Sequence, residues 1–248
     1  MAGTIDDVIA HLTEIIDRSR RDRSRLGYFA ALYRQVTVCV KQGIANNRFQ
    51  NGERMERLDV AFASRYLTAY ELYRQKLPAP ESWQLAFETA EKWRPLILQQ
   101  LLLGMNAHIN LDLGAAAVET CPGNHLAPLQ HDFDEINQIL ASLVLPVQQA
   151  IGGVSPWIGF LEKIDPRADD ALINFSMRVA RNEAWKFALR LNSLEEQQQT
   201  AAIALRDQEI ARFGRLVAQP PGVYFKLGLL AIRLRESNNI PKVIDVLC

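Results

Sequence analysis

Leu101-Leu-Leu-Gly-Met-Asn106-Ala-His108-Ile-Asn110-Leu-Asp112-Leu-Gly114 decides the fold, because this stretch and its flanks argue for different secondary structures. Across residues 105–113 apolar and polar side chains alternate strictly, the pattern of a half-buried strand. The flanks, residues 96–103 and 115–118, are rich in Leu, Gln and Ala and poor in β-branched residues. One continuous helix over roughly 95–120 is therefore the more economical reading. Burying an amide without a partner costs roughly 1–3 kcal/mol and a lone carboxylate far more, so Asn106, His108, Asn110 and Asp112 need partners or a chemical task.

The rest of the chain agrees with a helical reading. Thr4 and Asp7 have the spacing of a capping box, and Ile5, Val8, Ile9, Leu12, Ile15 and Ile16 follow at helical period. The basic run at residues 18–25 reads as a solvated helix end favoured by the macrodipole. Tyr28 to Val40 marks a second helix ending near Asn46-Asn47, and Met55, Phe62, Tyr66, Tyr70 and Tyr73 mark a third, closed by Leu77-Pro-Ala-Pro80. Ser82 is placed to cap a fourth helix, Trp93-Arg-Pro95 to open the fifth, and Cys121-Pro-Gly-Asn124 to break the chain.

Residues 132–151 form a further helix containing Pro146, and Gly152-Gly-Val-Ser-Pro156 separates it from the segment around Trp157. After Asp165-Pro166, a stripe of Leu172, Phe175, Val179 and Ala180 predicts another helix. Ser193 with Glu196 predicts a capping box, and Pro220-Pro-Gly222 divides the last amphipathic helices. β-Branched clusters such as Val36-Thr-Val-Cys-Val40 keep a helical period. The expected fold is all-α: one domain over residues 1–248, about 9–11 helices bundled around a central buried helix near 95–120.

Composition narrows the function classes. With 248 residues, 48% hydrophobic, the chain can bury a sizeable core; 28 basic against 28 acidic residues give it no global field for nucleic acid. Cys39, Cys121 and Cys248 are few, distant and without CxxC spacing, which fits a reducing cytoplasm better than a disulfide framework or a zinc ribbon. The N-terminus has no apolar signal core, and no uninterrupted apolar run of about 18 residues predicts a transmembrane segment. GxGxxG, P-loop, GxSxG, HExxH and paired ExxH signatures are all missing from the sequence.

The candidate site is built on the central helix. At about 100° per residue, His108 and Asp112 share one face and Asn106 and Asn110 another, so each pair should meet a different neighbour. A His and Asp at i, i+4 can ligate a metal, form an acid and base pair, or satisfy each other as a structural couple, the last being commonest. A divalent metal would need further ligands, for which His131, Asp132, Asp134 and His125 are candidates, although residues 131–134 equally suit a first-turn acidic cap.

Asp59 falls on the apolar face of helix three and wants a cation or donor, with Arg178 or His108 as partners. Arg178, Asn182 and Trp185 at i, i+4, i+7 set a guanidinium and an amide beside an aromatic, which could hold an anion or simply cover apolar surface.

Met55-Glu-Arg-Leu-Asp-Val-Ala-Phe-Ala-Ser-Arg-Tyr-Leu67, Trp93-Arg-Pro95, residues 101–113 and Asp132-Phe-Asp-Glu-Ile-Asn137 together carry a resemblance. The chain resembles an uncharacterised all-helical bacterial family catalogued as a domain of unknown function, from helix two to the C-terminus. The resemblance implies that His108, Asp112, Asp59 and Asp132 belong to the family pattern, and it implies no activity.

From the residues themselves the leading expectation is an enzyme acting on an apolar or amphipathic small molecule by hydrolysis or elimination. His108 would be its base or metal ligand, with Asp112 and Asp59 orienting or charging it. Arg178, Asn182, Trp185, Asn106 and Asn110 would be the substrate-binding residues. The alternative is a non-catalytic module, lipid-binding or protein-binding and compatible with homo-oligomerisation, whose polar core is structural.

Overall fold

The computed structural model describes the backbone of residues 2–156 and 168–248, and their side chains except 168–176 and Phe225. Trp157, Asp165, Pro166 and the side chains of Leu172 and Phe175, on which sequence expectations fell, lie outside the described residues. The described chain is all-helical, with no strand. In order it forms α1 (Ile5–Asp22), α2 (Gly27–Ala45), α3 (Gly52–Arg74), α4 (Glu81–Glu91), α5 (Ile97–Ala107) and a π-helical turn (His108–Asp112). There follow α6 (Leu113–Thr120), α7 (Gln130–Gly152), α8 (Ala168–Asn192), α9 (Glu196–Ala218), α10 (Val223–Arg233) and α11 (Ile240–Leu247).

Local chemistry sets many of these boundaries. Thr4 and Asp7 form the expected capping box, and Arg23 closes α1 in the left-handed region at φ 49. Asn51 caps α3 by accepting from the Arg54 amide, and Asn239 caps α11 in the same way through Lys242.

Three sequence expectations are corrected. Ser82 does not cap α4 itself: Asp207 of α9 reaches across, accepting from the Glu81 and Ser82 amides and from the Ser82 hydroxyl at 2.6 Å. A charged acceptor from a neighbour thus occupies the place a local hydroxyl would take. The fifth helix begins at Ile97 rather than at Trp93-Arg-Pro95. Its first amides are taken by Gln99 and by the buried Glu236 carboxylate, while the Trp93 carbonyl accepts from Arg233 at 2.7 Å. Ser193 turns back to the Arg190 carbonyl, and Glu195 with Gln198 forms the capping box of α9.

The alternating segment, Leu101 to Gly114, lies inside a helical span that runs from Ile97 to Thr120. A π turn sits in its middle, closed by the Leu113 amide bonding to the His108 carbonyl. The 24-residue span is apolar enough to cross a membrane by composition, yet 78% of its most apolar window is buried inside the protein, as in a core helix. Its strict alternation reflects neighbours on several sides rather than a sheet.

The central helix threads two apolar clusters. Ile97, Leu101 and Leu103 pack with Leu12 and Ile16 of α1, Tyr28 of α2, Tyr66 of α3, Trp83 of α4 and Ile244 of α11. Leu113 and residues 115–118 pack with Met55 and Leu58 of α3, Phe133 of α7 and Ala184, Phe187 and Ala188 of α8. Gly114 permits the second arrangement, since a Cβ there would lie 2.7 Å from the Ala184 carbonyl oxygen. The π turn falls where the two clusters meet, and an interior cavity opens at the same place.

Candidate functional site

His108 is buried on the π turn, in a ring of aromatic side chains. Its imidazole lies flat on Phe62, with ring centroids 3.5 Å apart, and Tyr33 meets it edge-on at 4.4 Å. Its Nδ1 lies 3.4 Å from Asp112 Oδ2, a long contact, and the same oxygen accepts the Trp83 indole N–H at 2.8 Å. Burial holds the imidazole below its ordinary value of 6.5 against the opposing pull of Asp112, so at neutral pH the ring is uncharged. With Nδ1 assigned as the donor to the carboxylate, Nε2 carries the lone pair, and it has no hydrogen-bond partner. The pair is therefore satisfied on one side of the ring and buried without a partner on the other.

Asn106 and Asn110 serve the opposite face, as their spacing predicted. Asn106 donates to the Ile210 carbonyl of α9 at 3.1 Å, and Asn110 donates to the Asn106 carbonyl oxygen at 3.0 Å. Arg206 of α9 returns a bond to the Asn110 carbonyl at 3.2 Å. These residues clamp the central helix to α9; neither lines the cavity, so the expectation that they bind a ligand is corrected to a structural role.

A cavity of about 210 Å³ opens beside His108. α2, α3, α5 and α7 supply most of its wall, with Val36, Phe62, Leu101, Met105, Leu140 and Val144 typical of the lining. Polar groups are few, among them Asp59, His108, Gln148 and Arg181. Leu102, 40% exposed, lies at its rim.

Asp59 has neither of its expected partners. No hydrogen bond or ion pair reaches it from Arg178 or His108, and its Oδ2 is buried without any partner. Burial, reinforced by Glu56, pushes its carboxyl from 3.8 up to about 7. Arg65, further along α3, instead faces Glu119 at 3.4 Å.

On α8 the buried stripe differs from the expected one. Arg178, Val179 and Asn182 are exposed, whereas Arg181, Ala184, Trp185 and Ala188 face inward. Arg178 and Asn182 thus do not form an interior anion site. Trp185 is buried against Phe133 at 4.9 Å, and the cation in the cavity wall is Arg181, which sequence reasoning missed. Counting back by three or four from Ala184, Ala188 and Leu191 would have found it. Arg181 Nη2 donates to the Phe133 carbonyl at 2.5 Å, and the guanidinium covers the Phe133 ring at 4.4 Å.

The proposed metal ligands do not converge. Asp132 is fully buried elsewhere, accepting from the Gln50 amide at 2.7 Å, the Asn51 amide at 3.1 Å and Arg54 Nη2 at 2.6 Å. Burial alone would raise its carboxyl, but Arg54 and the two amides hold it below the ordinary carboxylate value. His131 is exposed beside it, and Asp134 and His125 are exposed too. Among the described residues no group of three His, Cys, Asp or Glu side chains is arranged to hold an ion. The four-residue set His108, Asp112, Asp132 and His131 is corrected to two separate clusters, because Asp132 is committed to the loop before α3.

A family model described as "Family of unknown function (DUF5995)" matches residues 5–220, reaching back into α1. No curated protein and no solved structure matches the chain.

Proposed function

The chain belongs to this family of unknown function, DUF5995, whose description carries no activity, and from the site itself we propose that it binds an apolar or amphipathic small molecule in the interior cavity. The observation that carries this reading is the lining: a 210 Å³ space walled by Leu, Val, Ile, Met and Phe with a few polar groups, the composition of a small-molecule pocket. Three free cysteines support a cytoplasmic setting.

The test is titration with the neutral fluorescent probe N-phenylnaphthylamine. The expected result is saturable binding at one probe per chain, abolished by Val144→Trp, which fills the space with an indole. Absence of saturable binding, or binding that the filled variant retains, would sink the reading.

A second reading is favoured by one atom, the unpartnered Nε2 of His108. The Asp112 and His108 pair has the arrangement of an oriented general base, with the carboxylate fixing the tautomer and Nε2 facing a task. Nε2 would take a proton from water as the water oxygen bonds to an acyl carbon, and the ester C–O bond would then break as the imidazolium returns that proton to the departing alkoxide, releasing acid and alcohol. With p-nitrophenyl decanoate as probe, His108→Gln is expected to abolish hydrolysis while N-phenylnaphthylamine binding persists. Because burial holds the imidazole below 6.5, the wild-type rate should fall as the pH is lowered with its midpoint below that value. Hydrolysis by the Gln variant equal to wild type would remove the catalytic reading and leave binding alone.

A further inference from the structure

Two other arginines largely withdrawn from solvent have acids beside them. Arg54 meets Asp132 at 2.6 Å, and Arg233 lies 3.9 Å from Glu236. Arg181 is the exception: only 4% exposed, it makes no ion pair with a carboxylate among the described residues, and its Nε–H has no acceptor. Among the described residues its hydrogen bond goes to the Phe133 carbonyl, and Phe133 also supports its flat face. Together these contacts fix the plane of the guanidinium, with Nη2 as its bonded nitrogen among the described residues. Burial lowers its pKa to about 10, with Asp134 opposing, so the group still carries its charge at neutral pH.

A fixed, charged, donor-rich group in an apolar cavity is complementary to a single anionic head on an apolar tail. We infer that the cavity takes a long-chain monoanion, a fatty-acid-like carboxylate, with its head on Arg181 and its chain against the apolar walls of α2, α5 and α7. The inference rests on the proposed cavity binding and deepens it by naming the ligand class. One cation neutralises one charge, so a singly charged head leaves no net charge buried, whereas a doubly charged one would. The fork of the guanidinium suits the two oxygens of a carboxylate.

Asp59 on α3 lines the same space and would repel an anion once ionised, so the test is set at about pH 6, below the value of about 7 at which it loses its proton. His108 and Gln148 line the space as well; burial holds the imidazole below its ordinary 6.5, any charge it carries at the test pH is common to wild type and Arg181→Met, and the amide carries no charge at any pH.

Isothermal titration of the full chain would compare decanoate, decanol and decyltrimethylammonium. The expected order is decanoate tightest, by about tenfold over decanol, and the cation weakest. Arg181→Met should remove the preference for decanoate while decanol still binds, and Arg181→Lys, which keeps the charge without the fork, should retain part of it. Equal wild-type affinity for decanoate and decanol, tighter binding of the cation, or a preference surviving in Arg181→Met overturns the head-group assignment and leaves the cavity reading standing. If neither decanoate nor decanol binds, the cavity reading falls and takes this inference with it. The wild-type ratio decides the matter even if both variants fail to fold.

Discussion

Replacing Asp132 by alanine is expected to cost about 3–5 kcal/mol of folding stability, the range for breaking a buried ion pair from one side. The carboxylate is fully buried and serves three donors at the entry to α3: the Gln50 and Asn51 amides of the preceding loop and the Arg54 guanidinium of its first turn. Deleting it strands a cation that is itself only 13% exposed, together with two backbone donors, and the desolvation of all three goes uncompensated. Urea titration checks this through the midpoint at unchanged slope.

The pH dependence has a definite sign. The folded-state pKa of Asp132 is depressed, so its contribution is present above the ordinary carboxylate value of 3.8 and is lost as pH falls through the lower folded value. A loss smaller than about 1 kcal/mol would contradict the structural role. A chelator that reproduced the mutant's instability in the wild type would return Asp132 to the metal reading that its geometry disfavours.

The second large effect has the opposite sign. Asp59 is raised from 3.8 to about 7 by burial and by Glu56, so the folded state holds this proton more tightly than the unfolded chain does. The cost of ionising it is absent below 3.8, grows as pH rises towards about 7, and is constant beyond. At 1.36 kcal/mol per tenfold change it amounts to ~4 kcal/mol at alkaline pH.

Asp59→Asn removes the charge at nearly constant volume and is expected to make the protein more stable than wild type at about pH 8, by ~2–4 kcal/mol after allowing for a buried amide. The difference between the two stability curves isolates Asp59, since Glu236, also raised by burial, and His108 titrate in both proteins. A wild-type minus variant difference that stays flat between about pH 4 and 7 would refute it. Maintaining such a group in the wall of a cavity is a stability cost consistent with a site selected for binding rather than for folding.

Much of this architecture is legible in the sequence because helices are specified locally. The period of Ile5, Val8, Leu12, Ile15 and Ile16, the Thr4 capping box and the turn at Pro220-Pro-Gly222 depend on residues within a few positions of one another, and the structure keeps all of them. The partition of Asn106 and Asn110 from His108 and Asp112 is legible for the same reason.

What the sequence misplaces depends on partners distant in the chain. Ser82 has the position of a cap, but Asp207, 125 residues away, takes over that role. Arg178 has the spacing of a buried cation only when the stripe is counted from Phe175 instead of from Ala184. Asp132 reads as free for a metal because nothing local announces Arg54.

By itself, then, the sequence determined the helices, the central apolar segment and the interior placement of its polar residues, because propensity, periodicity and capping act over one or two turns. Only the tertiary structure decided which of those polar residues are satisfied. Asp132 and Asn106 found donors or acceptors on other parts of the chain and Asn110 found Asn106 one turn back, while Asp59, Arg181 and His108, which line the cavity, each keep one buried atom without a partner among the described residues. The physical reason is that a hydrogen bond or ion pair is a matter of a few ångströms between groups that can be remote in sequence, a distance set by packing and not by spacing along the chain.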